Sequence, residues 1–304
     1  MVGGSAYFVA TPIGNLEDIT LRALRTLRQV DVIASEDTRV TGALLRALGV
    51  ERKQMVSHHD HNLGTSVPKL VKLLEGGASV AVVSDAGTPG ISDPGLALAA
   101  ACSAQGIPLV PVPGPCAAVA ALSVAGVAAS EFVFAGFLPR ANKARRLKVA
   151  EVAEEHRAVV LYEAPHRMLD TLGDLCAAGA AERPVVCARE ITKLYEEFHR
   201  GTIGSARSWY ADVAARDGQL RGEFTVVIGP LDPETLKQRQ GEAQEAAESA
   251  AAAEVRVRLA AGGALSRVTK DVAAEFGVSK SKVYAEALRQ KQEEKEARGR
   301  GSSR

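Results

Sequence analysis

The 304-residue sequence has only four cysteines, Cys102, Cys116, Cys176 and Cys187, and no two of them stand at C-x-x-C spacing. That excludes the common zinc and dithiol motifs and predicts reduced, mostly buried thiols. No uninterrupted apolar stretch reaches the roughly 18 residues that a membrane-spanning helix needs. The opening MVGGSAYFVATP also lacks a basic region followed by a long apolar core. A cytoplasmic protein with no membrane association is the expectation. There is no G-x-x-x-x-G-K-[ST], and no G-x-G-x-x-G follows a strand pattern, so ATP and NAD are poor candidates as ligands. Nor is there an excess of one charge: the formal net charge is +1, and any affinity for nucleic acid must come from local basic patches.

What is present is ordinary soluble material, 46% apolar and 24% charged, in a chain long enough for two cores plus an appendage. Short β-rich runs alternate with helical patterns. Residues 6–10 (AYFVA), 31–35 (DVIAS), 79–84 (SVAVVS) and 108–112 (PLVPV) are spaced by LRALRTLRQ, VPKLVKLLE and PGLALAAACSAQ. This alternation predicts a mostly parallel sheet with helices on both faces. Ser66 stands as a candidate N-cap with Pro68 in the first turn, and Gly76 and Gly77 follow the same helix. The alternation resumes at FVFAG (132–136), AVVLYEA (158–164), PVVCARE (184–190) and EFTVVIG (223–229), with a basic interruption from Arg140 to Lys148.

These patterns predict an α/β domain over residues 1–135 and a second over 136–231. An Ala-, Glu- and Gln-rich helical or flexible linker follows over 232–253, then a helix-turn-helix-like module over 254–290 and a charged tail over 291–304, expected to be disordered. In the module, Ala273 lies four residues before Gly277, and Ser279 is placed to cap the second helix.

In open α/β sheets, ligands bind beyond the carboxyl ends of the strands. Three constrained loops occupy such positions: ATPIGNLEDIT after the first strand, SDAGTPGISDPG after residues 79–84, and VPGPCAAVAAL after residues 108–112. Each fixes the chain with Gly and Pro while leaving backbone N–H groups for a ligand. A single loop of this kind is ordinarily a tight connection; three after neighbouring strands point to a shared site. Within the second loop, Asp85 is the carboxylate expected to hold a ligand. Asp93, followed by a proline and a helical run, reads as an N-cap.

The motifs TPIGNLEDIT, EDTR, SDAGTPGISDPG, PGP, YEAPHR, AREITK and GEFTVVIG, in this order over Tyr7 to Gly229, resemble the tetrapyrrole-methylase fold of class III S-adenosylmethionine-dependent methyltransferases. Within that family they are most similar to the bacterial enzymes that 2′-O-methylate a cytidine of 16S ribosomal RNA in the small-subunit decoding centre. The resemblance covers about three quarters of the chain and implies a homodimer of two-domain subunits, acting on 16S rRNA or the 30S subunit. It implies that S-adenosylmethionine lies in the cleft between the domains. Its contacts would be Pro12, Ile13 and Gly14; Asp85, Ala86, Gly87, Thr88, Pro89, Gly90 and Ile91; Cys116 and Ala117; and Tyr162, Ala188, Glu223, Phe224 and Thr225. Cys116 stands where the family motif usually has serine, so a hydroxyl contact is absent while a backbone contact survives.

The cofactor's sulfonium, ammonium, carboxylate, ribose and adenine call for a carboxylate, free amides and apolar walls. Methyl transfer is an in-line displacement, and a ribose hydroxyl is a poor nucleophile at neutral pH that benefits from a general base. Glu190, Lys193 and Glu36 are the candidates for that proton, with Glu163 and His166 in the same group of strand-end polar residues. Asn15, Asp37, Arg39, His58, His61, Asn62, Arg167 and Arg189 are candidates for substrate contact, as are the basic-segment residues Arg140, Lys143, Arg145 and Arg146. Each has a plainer alternative: an ion pair bracing a loop for Glu36 and Arg39 or for Arg189 and Glu190, and a solvated helix face for the basic run. The HHDH stretch has no second ligand cluster, and no metal is assigned to it. Two other functions stand beside the leading one: a small-molecule tetrapyrrole methylase, and a ligand-sensing DNA-binding regulator that uses the helix-turn-helix.

Overall fold

Strand runs with few polar residues can be buried on both faces, and the centre of the first sheet is built from them. In the computed structural model, which describes residues 4–93, 95–140 and 142–289, the chain up to Pro230 forms one compact unit and the chain from Leu231 another. The first unit opens with β1 (Ala6–Val9), α1 (Leu21–Gln29), β2 (Val32–Ser35), α2 (Thr38–Ala47), β3 (Gln54–Ser57), α3 (Leu63–Glu75), β4 (Val80–Val83), α4 (Gly95–Ala104), β5 (Leu109–Val112) and α5 (Ala117–Ser123). The five strands pair in the order β3-β2-β4-β1-β5, every pair parallel. Side chains alternate between two cores, as the period of two requires. Val32, Ala34, Val80 and Val82 face Leu70, Leu74 and Leu98; Ile33, Ala81 and Val83 face Leu27 and Leu45. Each fully buried Leu, Ile or Val contributes roughly 1.5–3 kcal/mol.

The strand order decides where the site is. Because β4, β1 and β5 are neighbours, the three loops that follow them emerge side by side. Two of these loops are tied directly: the Thr11 and Gly87 backbones exchange N–H···O bonds of 2.9 and 3.1 Å.

The remainder of the unit comprises β6 (Phe132–Phe137), α6 (Asn142–Glu154), β7 (Ala158–Glu163), α7 (Met168–Leu175), β8 (Pro184–Arg189), β9 (Glu197–Thr202), α8 (Ile203–Asp217) and β10 (Phe224–Ile228). The order is β6-β7-β10-β8-β9. Only β6 and β7 are parallel; the other three pairs are antiparallel. The mostly parallel expectation therefore holds for the first sheet and not for the second. One face of the second sheet carries Leu161, Cys187, Val226 and Ile228 against Met168, Leu172, Ile203 and Tyr210. The other face receives Ala118 and Ala121 of α5 on Val160, Val186 and Val227. Helix α5 thus leaves the first sheet and closes the second, which joins the two halves through a continuous apolar contact.

Three local expectations change. Strand β6 crosses the expected boundary at 135/136 and already belongs to the second sheet, and the basic segment beyond it lies within that half rather than between the halves. Helix α3 begins at Leu63, so Ser66 is no cap: it is buried inside the helix and bonded to His58, with Pro68 two residues further in. Gly76 does form the C-cap.

In the second unit, α9 (Pro233–Ala260) is capped by Asp232, whose carboxylate accepts from the N–H groups of Glu234 and Thr235. It runs unbroken through the expected linker 232–253 and into the expected module. Ala251 and Val255 of α9 share a buried cluster with Val268 and Val272 of α10 (Leu265–Phe276) and with Val283 and Ala287. Gly277 turns the chain at φ +64° into a helical stretch at 280–289. The expected tail over 291–304 lies outside the described residues.

Candidate functional site

The loops after β1, β4 and β5 face the ends of β7 and β10 across a cleft of about 610 Å³, a size that suits a cofactor or small ligand. From the first half come Ile13, Glu36, Asp85, Ala86, Gly87, Thr88, Ile91, Cys116 and Ala117. The second half supplies Tyr162, Glu223, Phe224 and Thr225.

The first-half wall is chiefly backbone held in shape. Gly87 lies at φ +83°, and a Cβ on it would stand 3.3 Å from Ile13. The Thr88 hydroxyl donates to the Pro115 carbonyl at 2.9 Å, fixing the second loop to the third. The Asp93 carboxylate accepts from the N–H groups of Gly90 (2.6 Å) and Gly95 (2.9 Å), the cap-like role its position suggested, while it also lines the cleft. Asp85 is exposed at the rim of this wall, one oxygen accepting from the Asp37 N–H at 3.0 Å. Beside it, half-buried Glu36 is held above the usual carboxylate range by burial and by the Asp85 charge. A second negative charge there costs free energy until a cation arrives.

The second-half wall is made of side chains. The Tyr162 hydroxyl accepts from the Ala118 N–H at 3.2 Å, and burial pushes its pKa up, so it serves as a neutral group. The Phe134 and Phe137 rings flank it, with centroids 5.1 and 5.7 Å away. The Glu163 carboxylate is fully buried beneath the cleft. It accepts from the Thr171 hydroxyl (2.5 Å) and the Ala164 N–H (2.9 Å), with the Arg167 guanidinium at 3.5 Å. Its oxygens are committed to holding the β7 turn.

Not every expected contact reaches the cleft. Pro12, Pro89 and Ala188 are buried; Ala188 packs under α5. Gly14 instead abuts Lys193 and Thr192, where a side chain would collide. Gly90 takes φ +89° and supports the loop behind the wall. Glu190 and Lys193, expected to handle the proton, form an ion-pair cluster at the edge instead. Lys193 Nζ lies 2.8 Å from both Glu190 and Glu223, and only Glu223 lines the cleft. Although burial opposes it, the Lys193 and Glu223 N–H bonds keep the Glu190 carboxyl below its ordinary value. Glu190 and Thr192 both adopt positive φ, at 53° and 67°, which strains the turn that presents Ile191 to the cleft.

The expected substrate contacts divide in the same way. Asn15 caps a turn through the Glu17 N–H, and Asp37 is clamped by Arg39, which holds it well below the carboxylate range. His58 is buried on Ser66, and Asn62 bonds to the backbone of Ser57 and His59. These two support a loop, while His61 is exposed. Arg145 is tied to Asp174, Thr171 and the Pro139 carbonyl, Arg167 to the Leu138 and Pro139 carbonyls, and Arg189 to the Arg221 carbonyl and Glu197. Arg140, Lys143 and Arg146 remain exposed.

The cleft lining also holds residues the motifs did not single out: Ser84, Ser92, Phe137, Ala164, Pro165 and Ile191. A signal existed for Phe137: Gly136 inside an apolar strand run marks a bulge or close approach. The β6–β7 register does shift between Phe134 and Gly136.

The cleft's chemistry fits S-adenosylmethionine. Carboxylates at Asp85 and Glu36 suit cationic or diol groups. The Gly87–Ile13 approach admits a ligand against bare backbone, and Ile13, Ile91, Tyr162 and Phe224 give apolar walls.

Comparison with known proteins agrees with this geometry. The family described as Tetrapyrrole (Corrin/Porphyrin) Methylases matches residues 6–207. The chain is 47% identical to the ribosomal RNA small subunit methyltransferase I of Synechocystis sp. over 76% of its length and 81% of that protein. It is 40% identical to the Pseudomonas aeruginosa protein of the same name over 95% of its length and 98% of that protein. Among solved structures, the uroporphyrin-III C-methyltransferase of Thermus thermophilus in complex with S-adenosylhomocysteine is similar in fold, with TM-score 0.53 and 17% identity. That similarity covers 74% of this chain and 97% of that one.

Proposed function

The chain belongs to the tetrapyrrole methylase family, among the ribosomal RNA small subunit methyltransferases I, and from that premise we propose that it is an S-adenosylmethionine-dependent methyltransferase of small-subunit rRNA. The finer reading is 2′-O-methylation of a cytidine ribose in the 16S decoding centre by a cytoplasmic homodimer. The observation that carries the cofactor assignment is the cleft itself: three backbone loops with one exposed carboxylate, Asp85, opposite a wall of aromatic and polar side chains.

When bound, S-adenosylmethionine supplies an electrophilic methyl group on a sulfonium. Asp85 and the 86–91 backbone hold its polar groups, while Ile13, Tyr162 and Phe224 exclude water from its apolar surface. We read Glu36 as the group that accepts the ribose proton. It lines the cleft, and its raised pKa brings it nearer to neutrality, where a general base is most effective. Glu163, whose oxygens are already bonded, keeps the wall in position. Lys193 neutralises Glu190 and Glu223 at the edge.

The test is a ribose-methylation map of 16S rRNA from a strain lacking this chain. One missing mark, on a decoding-centre cytidine and restored by the wild-type gene, is expected. An unchanged map overturns the RNA assignment.

A further inference from the structure

A second depression of about 750 Å³ adjoins the cofactor cleft, and three residues, Phe137, Ala164 and His166, line both. A substrate nucleophile must approach the methyl group in line, so it has to arrive through space open to the cleft. The adjoining groove is such a space.

Its walls have a definite chemistry. Arg145 and Arg167 line it, but their guanidiniums are spent on the Leu138 and Pro139 carbonyls and on Asp174 and Thr171. They shape the groove, each beside a carboxylate: Arg145 with Asp174 at 2.7 Å and Arg167 with Glu163 at 3.5 Å. Arg140 and His166 are exposed there and have no hydrogen-bond or ion-pair partner among the described residues. Among the described residues of the lining, the only carboxylate is Asp170. At the junction stands Phe137, with 53% of its surface exposed. A single exposed apolar side chain is ordinary on a surface; this ring differs in standing at the mouth of the cleft, where a ligand can reach its face. Yet the ring is not loose: the β6 bulge at Gly136 aims it and Tyr162 braces it from behind.

A braced, exposed ring beside two unpartnered basic side chains matches one ligand chemistry, a base plane adjoining a phosphate. An acidic peptide would use the charges and leave the ring uncovered. We propose that this groove docks the single-stranded RNA segment carrying the target ribose, with a base stacked on Phe137 and a backbone phosphate held by Arg140 and His166. The proposal rests on the rRNA-methyltransferase reading and adds to it a docking surface and two kinds of contact. Arg145 and Arg167, grouped with Arg140 by sequence, act as positioning residues that build the wall.

The test is steady-state methyl transfer to 30S particles, with cofactor affinity measured separately by calorimetry. Phe137→Ala is expected to raise KM for the particle by about 5- to 150-fold, the range of one lost base stack. Phe137→Tyr should restore it. Arg140→Ala is expected to raise KM and to lower the slope of log KM against log salt by about 0.7, the share of one single-strand phosphate contact. Cofactor affinity should stay within about twofold for Arg140→Ala, which lies outside the cleft; for Phe137→Ala, whose ring lines both spaces, it should fall by less than KM for the particle rises. Variants whose KM stays at the wild-type value while the wild-type enzyme is active overturn the docking role alone. Loss of cofactor affinity in Phe137→Ala with KM unchanged makes Phe137 a cofactor wall and overturns the stacking. Wild-type protein that leaves the particle unmethylated removes the underlying function as well.

Discussion

The two halves of the catalytic unit contribute to the same cleft by different means. The parallel sheet offers main chain: loops after β4, β1 and β5 are shaped by Gly87, Thr88 and Asp93, with one exposed carboxylate at Asp85. The mixed sheet offers side chains: Tyr162, Phe224, Glu223 and the braced Phe137. Parallel strands buried on both faces leave little at their ends except turns into helices, whereas antiparallel neighbours bring side chains of adjacent strand ends together. The first half should therefore be sensitive to backbone conformation, and the second to loss of particular polar and aromatic groups.

The largest expected effect breaks the second half alone. The buried Arg183 guanidinium donates to the carbonyls of Gly229, Val152, Ala153 and Arg157. Arg183→Met strips these acceptors and should cost about 3 kcal/mol or more. In thermal unfolding that lowers Tm by roughly 6 to 12 °C. A comparable Tm in the variant would mean the mixed sheet does not depend on that network.

A smaller effect distinguishes the first half. Gly87→Val places a β-branched residue at φ +83° and a Cβ 3.3 Å from Ile13. The conformation alone costs about 1–2 kcal/mol, so cofactor affinity should fall roughly tenfold by titration while the fold persists. Unchanged affinity would show that the loop backbone is not the cofactor wall.

The contrast also explains what could be read from sequence. Strands such as VIAS and VAVV, and the Gly-Pro loops that follow strands, are local signals, and the first-half wall was legible down to Asp85. Strands β3 (QMVS) and β9 (EFHRGT) were not, because both are edge strands and carry polar residues that a half-covered strand tolerates. The antiparallel pairing of the second sheet was equally hidden. Strand composition does not encode direction, and β9 follows β8 after a turn too short for a helical crossover. Among the candidate side chains, position in a strand-end motif did not separate Glu36, which faces the cleft, from Glu190 and Lys193, which pair with each other. Nor did it separate the exposed Arg140 from Arg145, which turns inward to Asp174. Those outcomes depend on rotamers and on neighbours far along the chain.

The smallest expected effect concerns pH. The folded-state pKa of Glu36 lies above its ordinary value of 4.5, so between those two values the folded protein retains a proton that the unfolded chain has released. Stability contributed by this group is present below pH 4.5 and falls as pH rises through the folded pKa. Glu36→Gln removes the titration. Its Tm relative to wild type should climb between pH 4 and pH 7. A flat or falling difference would place Glu36 outside the influence of Asp85.

The central claim is that the cleft joining a backbone wall to a side-chain wall is the cofactor site, anchored at Asp85. Calorimetric titration of S-adenosylmethionine into wild-type protein and into Asp85→Ala tests it most directly. Saturation at one cofactor per chain is expected for wild type, and roughly 10- to 100-fold weaker binding for the variant, the loss of a charged hydrogen bond. Equal affinity of the two proteins, or wild-type protein that gives no binding heat at several temperatures, would contradict it.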